Sequence, residues 1–315
     1  MAAVAEDRPM PTTVGARLEA RAPYAHAELL GFLAARAVPG VEAAGPGGYR
    51  RSLRLAGGPA LLAAEPDPDG VLLRLTLSEL ADRAEAEALA RRLFGLDQAA
   101  DPGLVDAAIA ADPVLATLVA RRPGLRVPGQ VDGFELAVRA VLGQQVTVKG
   151  AATLAARVVA RLGQPLPPAL AGVDPALTHL FPAPAAVAGG DLGGLGLTGA
   201  RARTLAALAA AVAGGLALDP GADRAAARAG LLALPGIGPW TVEYVAMRAL
   251  RDPDAIPLGD LGLAKAHAHL TGAAGPGPGL AAAAERWRPW RATAAMHLWA
   301  HSPQLDTTQG YAGAG

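Results

Sequence analysis

The apolar periodicity of this chain changes once, at about Val131, and that change limits the folds open to it. Before it, short segments alternate at period two; after it, apolar residues recur at the three-to-four spacing of helices. Residues 25–37 read as a helix closed by Pro39-Gly40. Residues 49–55 alternate, with Arg50, Ser52 and Arg54 on one face and Tyr49, Leu53 and Leu55 on the other, Arg51 being the exception. Gly57-Gly58 and Asp67-Pro68-Asp69-Gly70 turn the chain between further strands at 61–64 and 71–77, giving a small antiparallel sheet. An amphipathic helix at 80–94 would cover it. From Val131 on, helices are predicted at 134–142, 148–162, 200–213, 222–234, 240–250, 261–270 and 280–301. A Pro-rich loop at 165–184 and a Gly/Pro connector at 272–279 separate them. The fold class is mainly α with an N-terminal α+β domain: an antiparallel sheet with helices, then an all-α body. The boundaries expected are a flexible arm at 1–22, the α+β domain at 23–127, the helical domain at 128–301 and a disordered tail at 302–315.

Composition narrows the chemistry. The 315 residues include no cysteine, which removes disulfides, thiolate metal sites, iron–sulfur clusters and thiol nucleophiles together. A mean hydropathy of +0.28 reflects alanine, because no run approaches the ~20 strongly apolar residues of a bilayer span. The first 21 residues carry charges and no apolar core, so no secretory signal is expected. The chain reads as a soluble, cytoplasmic monomer without a membrane or nucleotide partner. Residues 131–301 hold 14 basic and 11 acidic side chains, against 14 and 16 in residues 1–130, a mild asymmetry that permits nucleic acid. The six histidines show no metal-ligand spacing, and the glycines at 189–199 contain no P-loop.

The most informative stretch is Leu234-Pro235-Gly236-Ile237-Gly238-Pro239-Trp240-Thr241, between two predicted helices. Two glycines flanking one apolar residue allow a tight hairpin, and Pro239 suits the first position of the next helix. The amides opened there could hold a phosphate, although an ordinary αα-hairpin explains the five linker residues equally well. Downstream, Asp260 opens a predicted helix, where an aspartate is a natural cap. Asp252 and Asp254 read as solvated turn residues. Trp240 and Tyr244 are four apart on one helix face.

These blocks resemble the helix-hairpin-helix DNA glycosylases, most closely the 3-methyladenine DNA glycosylase II (AlkA-like) type. Besides the hairpin, the resemblance rests on Gly-Asp-Leu-Gly from Gly259, Phe-Glu-Leu-Ala-Val-Arg-Ala-Val-Leu-Gly-Gln-Gln-Val from Phe134, and Trp-Arg-Pro-Trp-Arg from Trp287. The segment from Leu30 to Glu42 resembles the TATA-binding-protein-like domain that precedes the helical body in this subgroup. The resemblance implies hydrolysis of the N-glycosidic bond of alkylated purines (3-methyladenine, 7-methylguanine) in duplex DNA, by base flipping, as the start of base-excision repair near the bacterial nucleoid. It makes Asp260 the catalytic carboxylate, and Trp240, Tyr244, Trp299 and Gln144 the base pocket. It assigns DNA contacts to Gln145, as the wedge, and to Gly236, Ile237, Gly238 and Thr241; Arg201, which opens a predicted helix after Gly199, could contact a phosphate, although a solvated helix start explains it almost equally well. No cofactor or metal is required, beyond a structural monovalent cation at the hairpin carbonyls. Bifunctional members of the superfamily place a lysine nucleophile two residues after the second hairpin glycine; Trp240 stands there, which implies no lyase activity. The alternatives are a related glycosylase for an oxidised or deaminated base, and a non-catalytic DNA-binding module.

Overall fold

The computed structural model describes residues 10–45, 48–277 and 279–301. The α+β part contains β1 (Thr12–Glu19), α1 (His26–Ala34), β2 (Glu42–Gly45), β3 (Gly48–Arg54), β4 (Pro59–Asp67), β5 (Gly70–Leu77) and α2 (Arg83–Leu93), then α3 (Pro102–Ile109) and α4 (Pro113–Arg121). The five strands form one antiparallel sheet in the order β1-β5-β4-β3-β2.

The first strand corrects the expectation of a flexible arm at 1–22. Thr12–Glu19 pairs along its whole length with β5, from Thr12 opposite Leu77 to Glu19 opposite Gly70. Its Val14, Ala16 and Leu18 turn toward the core while Thr13, Gly15, Arg17 and Glu19 face out, so a period-two pattern was present in that segment. Residues 1–9 of the proposed arm and the proposed tail at 302–315 lie outside the described residues.

The exception in β3 is also explained. Arg51 shares the inward face with Tyr49 and Leu53 and is 1% exposed. Its guanidinium meets Glu135 at 2.7 Å and Glu42 at 3.3 Å, and Arg139 reaches the same two carboxylates. Glu135 and Arg139 belong to α5 (Gly133–Leu142), so a buried, charge-balanced quartet joins the sheet to the helical part. Such pairing offsets the cost of taking a guanidinium out of water.

The helical body continues through α6 (Val148–Leu162), the two-residue strand β6 (Gln164–Pro165), α7 (Pro168–Ala171), β7 (His179–Leu180), α8 (Pro184–Ala188), α9 (Gly199–Ala213), α10 (Arg224–Leu232), α11 (Pro239–Arg248), α12 (Leu261–Thr271), α13 (Gly279–Ala284) and α14 (Arg291–His301). The Pro-rich stretch is not a bare loop between helices. It reaches back over the outer face of the sheet, where Leu166, Leu170, Leu177 and Leu180 cover Leu61. Ser52 Oγ donates to His179 O at 2.6 Å, and Arg54 to Gln164 Oε1 at 2.7 Å. The polar face of β3 is therefore clasped by protein.

One further expectation changes. The long helix at 280–301 is split around Arg288-Pro289-Trp290, because proline has no N–H to continue the ladder. The helices α3 and α4, which precede the 127/128 boundary, pack with the helical body: Asp112, the cap of α4, accepts from Arg286 at 2.7 Å and from Trp287 Nε1 at 3.0 Å. One apolar core runs through both parts, from Leu18 to Trp299. Among the described residues no helix is long and apolar enough to cross a membrane.

Candidate active site

The hairpin lies between α10 and α11. Gly236 has φ +80°, and a Cβ there would come 2.2 Å from Thr204 Oγ1, so both conformation and space demand glycine. Gly238 is extended (φ −103°, ψ 177°) with open space around it. Ile237 has a buried side chain and its N–H donates to Leu234 O at 3.2 Å, so it pegs the hairpin to the core. Val242 is the first amide of α11 bonded within the turn, to Gly238 O at 3.1 Å, which leaves the N–H groups of Trp240 and Thr241 at the open end. Arg228 staples the two helices and the following turn, reaching Glu243 at 2.9 Å and Asp252 at 2.7 Å. Asp252 and Asp254 are thus not solvated turn residues; Asp254 pairs with Arg288 and Arg291.

The turn after α5 docks on this hairpin. Gln144 Nε2 donates to Gly236 O and to Thr241 Oγ1, both at 3.0 Å, so its amide hydrogens are engaged. Thr241 is 1% exposed, and its hydroxyl serves Gln144. Arg201 donates to Gln144 O at 2.6 Å, bracing the turn from the start of α9. Gln145 follows in the left-handed region (φ +56°) and is exposed, a conformation uncommon for a residue with a side chain. The hairpin carbonyls of Leu234 and Gly236 accept from Ile237 N and Gln144 Nε2, so a cation there would have to share them. Among the described residues no cluster of three metal-ligating side chains occurs.

Asp260 caps α12, its Oδ1 accepting from Leu263 N at 2.9 Å. Two indoles converge on the same carboxylate: Trp299 Nε1 donates to Oδ1 and Trp240 Nε1 to Oδ2, each at 3.0 Å. Three N–H donors from three elements hold the group in one orientation, and Oδ2, with a single donor, keeps a lone pair free. Tyr244 stacks on Trp240, with ring centroids 5.3 Å apart and planes 8° from parallel, and meets Trp299 edge-on at 6.1 Å. Trp240, Tyr244, Trp299 and Asp260 are therefore brought together; Gln144 sits at the hairpin beside them, through Thr241.

Sequence reasoning missed two arginines. Arg248 donates to Tyr244 Oη at 2.8 Å, and Arg36, from the end of α1, stacks 3.7 Å from the centroid of the Phe32 ring. Burial alone would raise the Tyr244 hydroxyl, but Arg248, Arg36 and Arg139 together hold it below the ordinary tyrosine value. Burial, with Arg248 and Arg139 nearby, pushes Arg36 down to about 10. The four-residue steps Trp240, Tyr244, Arg248 and Phe32, Arg36 were the sequence signals available for them.

Residues 15–132 match the family described as the AlkA N-terminal domain. The "probable bifunctional transcriptional activator/DNA repair enzyme AlkA" of Mycobacterium tuberculosis is 47% identical over 288 residues, covering 91% of this chain; the chain spans only 57% of that relative's length. The "DNA-3-methyladenine glycosylase 2" of Escherichia coli is 38% identical over 284 residues, with 88% of this chain and 94% of that protein covered. Among solved structures, a 3-methyladenine DNA-glycosylase from Archaeoglobus fulgidus superposes with TM-score 0.74 at 21% identity, covering 90% of this chain and 97% of that one, a likeness of fold.

Proposed function

The chain belongs to the AlkA-type family of helix-hairpin-helix DNA glycosylases, and from that premise we propose that it is a monofunctional glycosylase that removes alkylated purines from duplex DNA. The observation that carries this reading is the Asp260 carboxylate, held by Trp240, Trp299 and Leu263 N beside a stack of aromatic rings. A base inside a duplex cannot reach such a group, so the nucleotide must leave the stack. The exposed Gln145 is suited to occupy the gap it leaves, and the open amides after Gly238 to hold a backbone phosphate.

As the N-glycosidic bond breaks, its electron pair departs with the base and positive charge builds on the deoxyribose. The free lone pair of Asp260 Oδ2 stabilises that charge, or orients the water whose oxygen adds to C1′ and takes the proton that water gives up. A fixed carboxylate does this without reorganising as charge develops. A purine alkylated at N3 or N7 is already cationic and a good leaving group, and indole and phenol faces attract it. Trp240 occupies the position after the hairpin where an amine nucleophile would be needed to cut the strand, so the product is an abasic site.

Free-base release from methylated duplex DNA, followed by alkali, tests the reading. Wild type should release base with strand breaks only after alkali, while Asp260→Asn releases none yet binds DNA. Full release by Asp260→Asn, or breaks without alkali, would remove the mechanism.

A further inference from the structure

Among the described residues other than glycine, only Gln145 and Arg251 have positive φ, and Gln145 stands at +56° in the turn between α5 and α6. The left-handed region crowds a Cβ, so such a residue persists only where its surroundings fix it. The peptide plane that sets this angle joins Gln144 to Gln145, and the Gln144 carbonyl is its oxygen end. Arg201 Nη2 donates to that oxygen at 2.6 Å. The Gln144 side chain grips Gly236 O and Thr241 Oγ1, both at 3.0 Å. On the far side of Gln145, Thr147 caps α6 by accepting from Gly150 N at 3.0 Å. Helix α9 also reaches the hairpin, since Thr204, three residues after Arg201, fills the space beside Gly236. Turn, hairpin and α9 thus close a ring of contacts beneath an exposed Gln145. Arg201 does not serve the helix it opens: in the first turn of α9 a cation opposes the helix dipole.

Resting on the glycosylase reading, we propose that Arg201 is a positioning residue: through the Gln144 carbonyl it fixes the backbone angle of Gln145, so that the side chain offered to the duplex is aimed before DNA arrives. Rotation about the N–Cα bond of Gln145 swings that peptide plane and takes the carbonyl away from a guanidinium anchored on another helix. A guanidinium is a charged donor, and its bond to a carbonyl is stronger than one between neutral groups. A preformed turn loses no binding energy to ordering itself as it enters the gap left by an extruded nucleotide. Without Arg201 the turn relaxes toward ordinary backbone angles and Gln145 points elsewhere. The cost then falls on opening a base pair and leaves the chemistry at Asp260 alone. A lesion bulged out with no nucleotide opposite leaves no gap in the stack and escapes that cost.

Single-turnover release of 7-methylguanine tests this, measured from a duplex with cytosine opposite the lesion and from the same strand with the lesion bulged. Rates are compared for wild type, Arg201→Met, Arg201→Lys, Gln145→Gly and the double variant Arg201→Met with Gln145→Gly. The paired-to-bulged ratio should fall by about tenfold in Arg201→Met, as for the loss of one charged hydrogen bond, and Arg201→Lys should recover part of it. Gln145→Gly is at home at positive φ and has no side chain to insert, so its ratio should fall as far, and adding Arg201→Met should change it no further. An unchanged ratio in Arg201→Met, or additive losses in the double variant, overturns the proposal. A merely structural arginine would lower both rates together. An arginine that contacts a phosphate would instead weaken the salt dependence of binding by about one charge and leave the ratio alone. If Arg201→Met loses its cooperative melt, Arg201→Gln takes its place in the comparison. Wild type that releases base from the paired duplex and never from the bulge overturns this proposal only, since the turn would then serve something other than opening a pair; wild type that releases base from neither overturns the glycosylase reading beneath it.

Discussion

Asp260 combines two roles in one side chain. Its Oδ1 closes the first turn of α12 through Leu263 N, and its Oδ2 is the oxygen with capacity to spare. The capping role was readable from an aspartate opening a helix, but the two indole donors were not, since Trp299 is 39 residues away. Trp299→Phe keeps the ring and removes the N–H from Oδ1, so the carboxylate loses orientation. Excision should slow by roughly ten- to a hundredfold, the cost of about 1–3 kcal/mol expected for one lost hydrogen bond to a charged group. Single-turnover rates beside unchanged DNA affinity would show it, and a rate equal to wild type would show that Leu263 N and Trp240 suffice.

At the scale of the element, the hairpin separates two glycines that look equivalent in sequence. Gly236 is fixed by its positive φ and by Thr204; Gly238 is not. Gly236→Ala should therefore lower the melting temperature and weaken binding to every DNA sequence, since phosphate contacts carry no base information. Gly238→Ala should fold normally, and any loss of affinity in it reports close approach of DNA to that backbone. Thermal melts and binding isotherms on undamaged duplex separate the two cases. Helix α6 was legible to the residue, because Thr147 caps it and apolar spacing continues to Leu162. The strand Thr12–Glu19 was passed over for the opposite reason: an edge strand buries one face only, and three half-apolar positions among charges make a weak pattern without the partner strand in view.

Over the whole molecule, buried ionisable groups set the response to pH. His297 is fully buried on α14, and burial, with Arg122 nearby, lowers it from the ordinary 6.5 to about 4. Between those values the unfolded chain binds a proton that the folded chain refuses, so stability is complete above about pH 6.5 and is lost as pH falls toward 4. The share of this group is about 3 kcal/mol. Chemical denaturation of wild type and His297→Leu at pH 7 and pH 4.5 measures it: the variant should lose less stability on acidification, and parallel losses would assign the effect to other groups.

From the sequence alone came the period change at Val131, most helices of the body, the two-glycine hairpin and the position of Asp260, because helical spacing, turn residues and caps are local. Which side chains meet was settled only when the helices packed. The indoles on Asp260, Arg51 between Glu42 and Glu135, the 164–181 arm over the sheet and Arg248 on Tyr244 all join residues whose separation in sequence carries no periodic trace, or whose meaning depends on a third partner. A buried charge is decided by what surrounds it, and here the surroundings come from elements that the chain brings together from far apart.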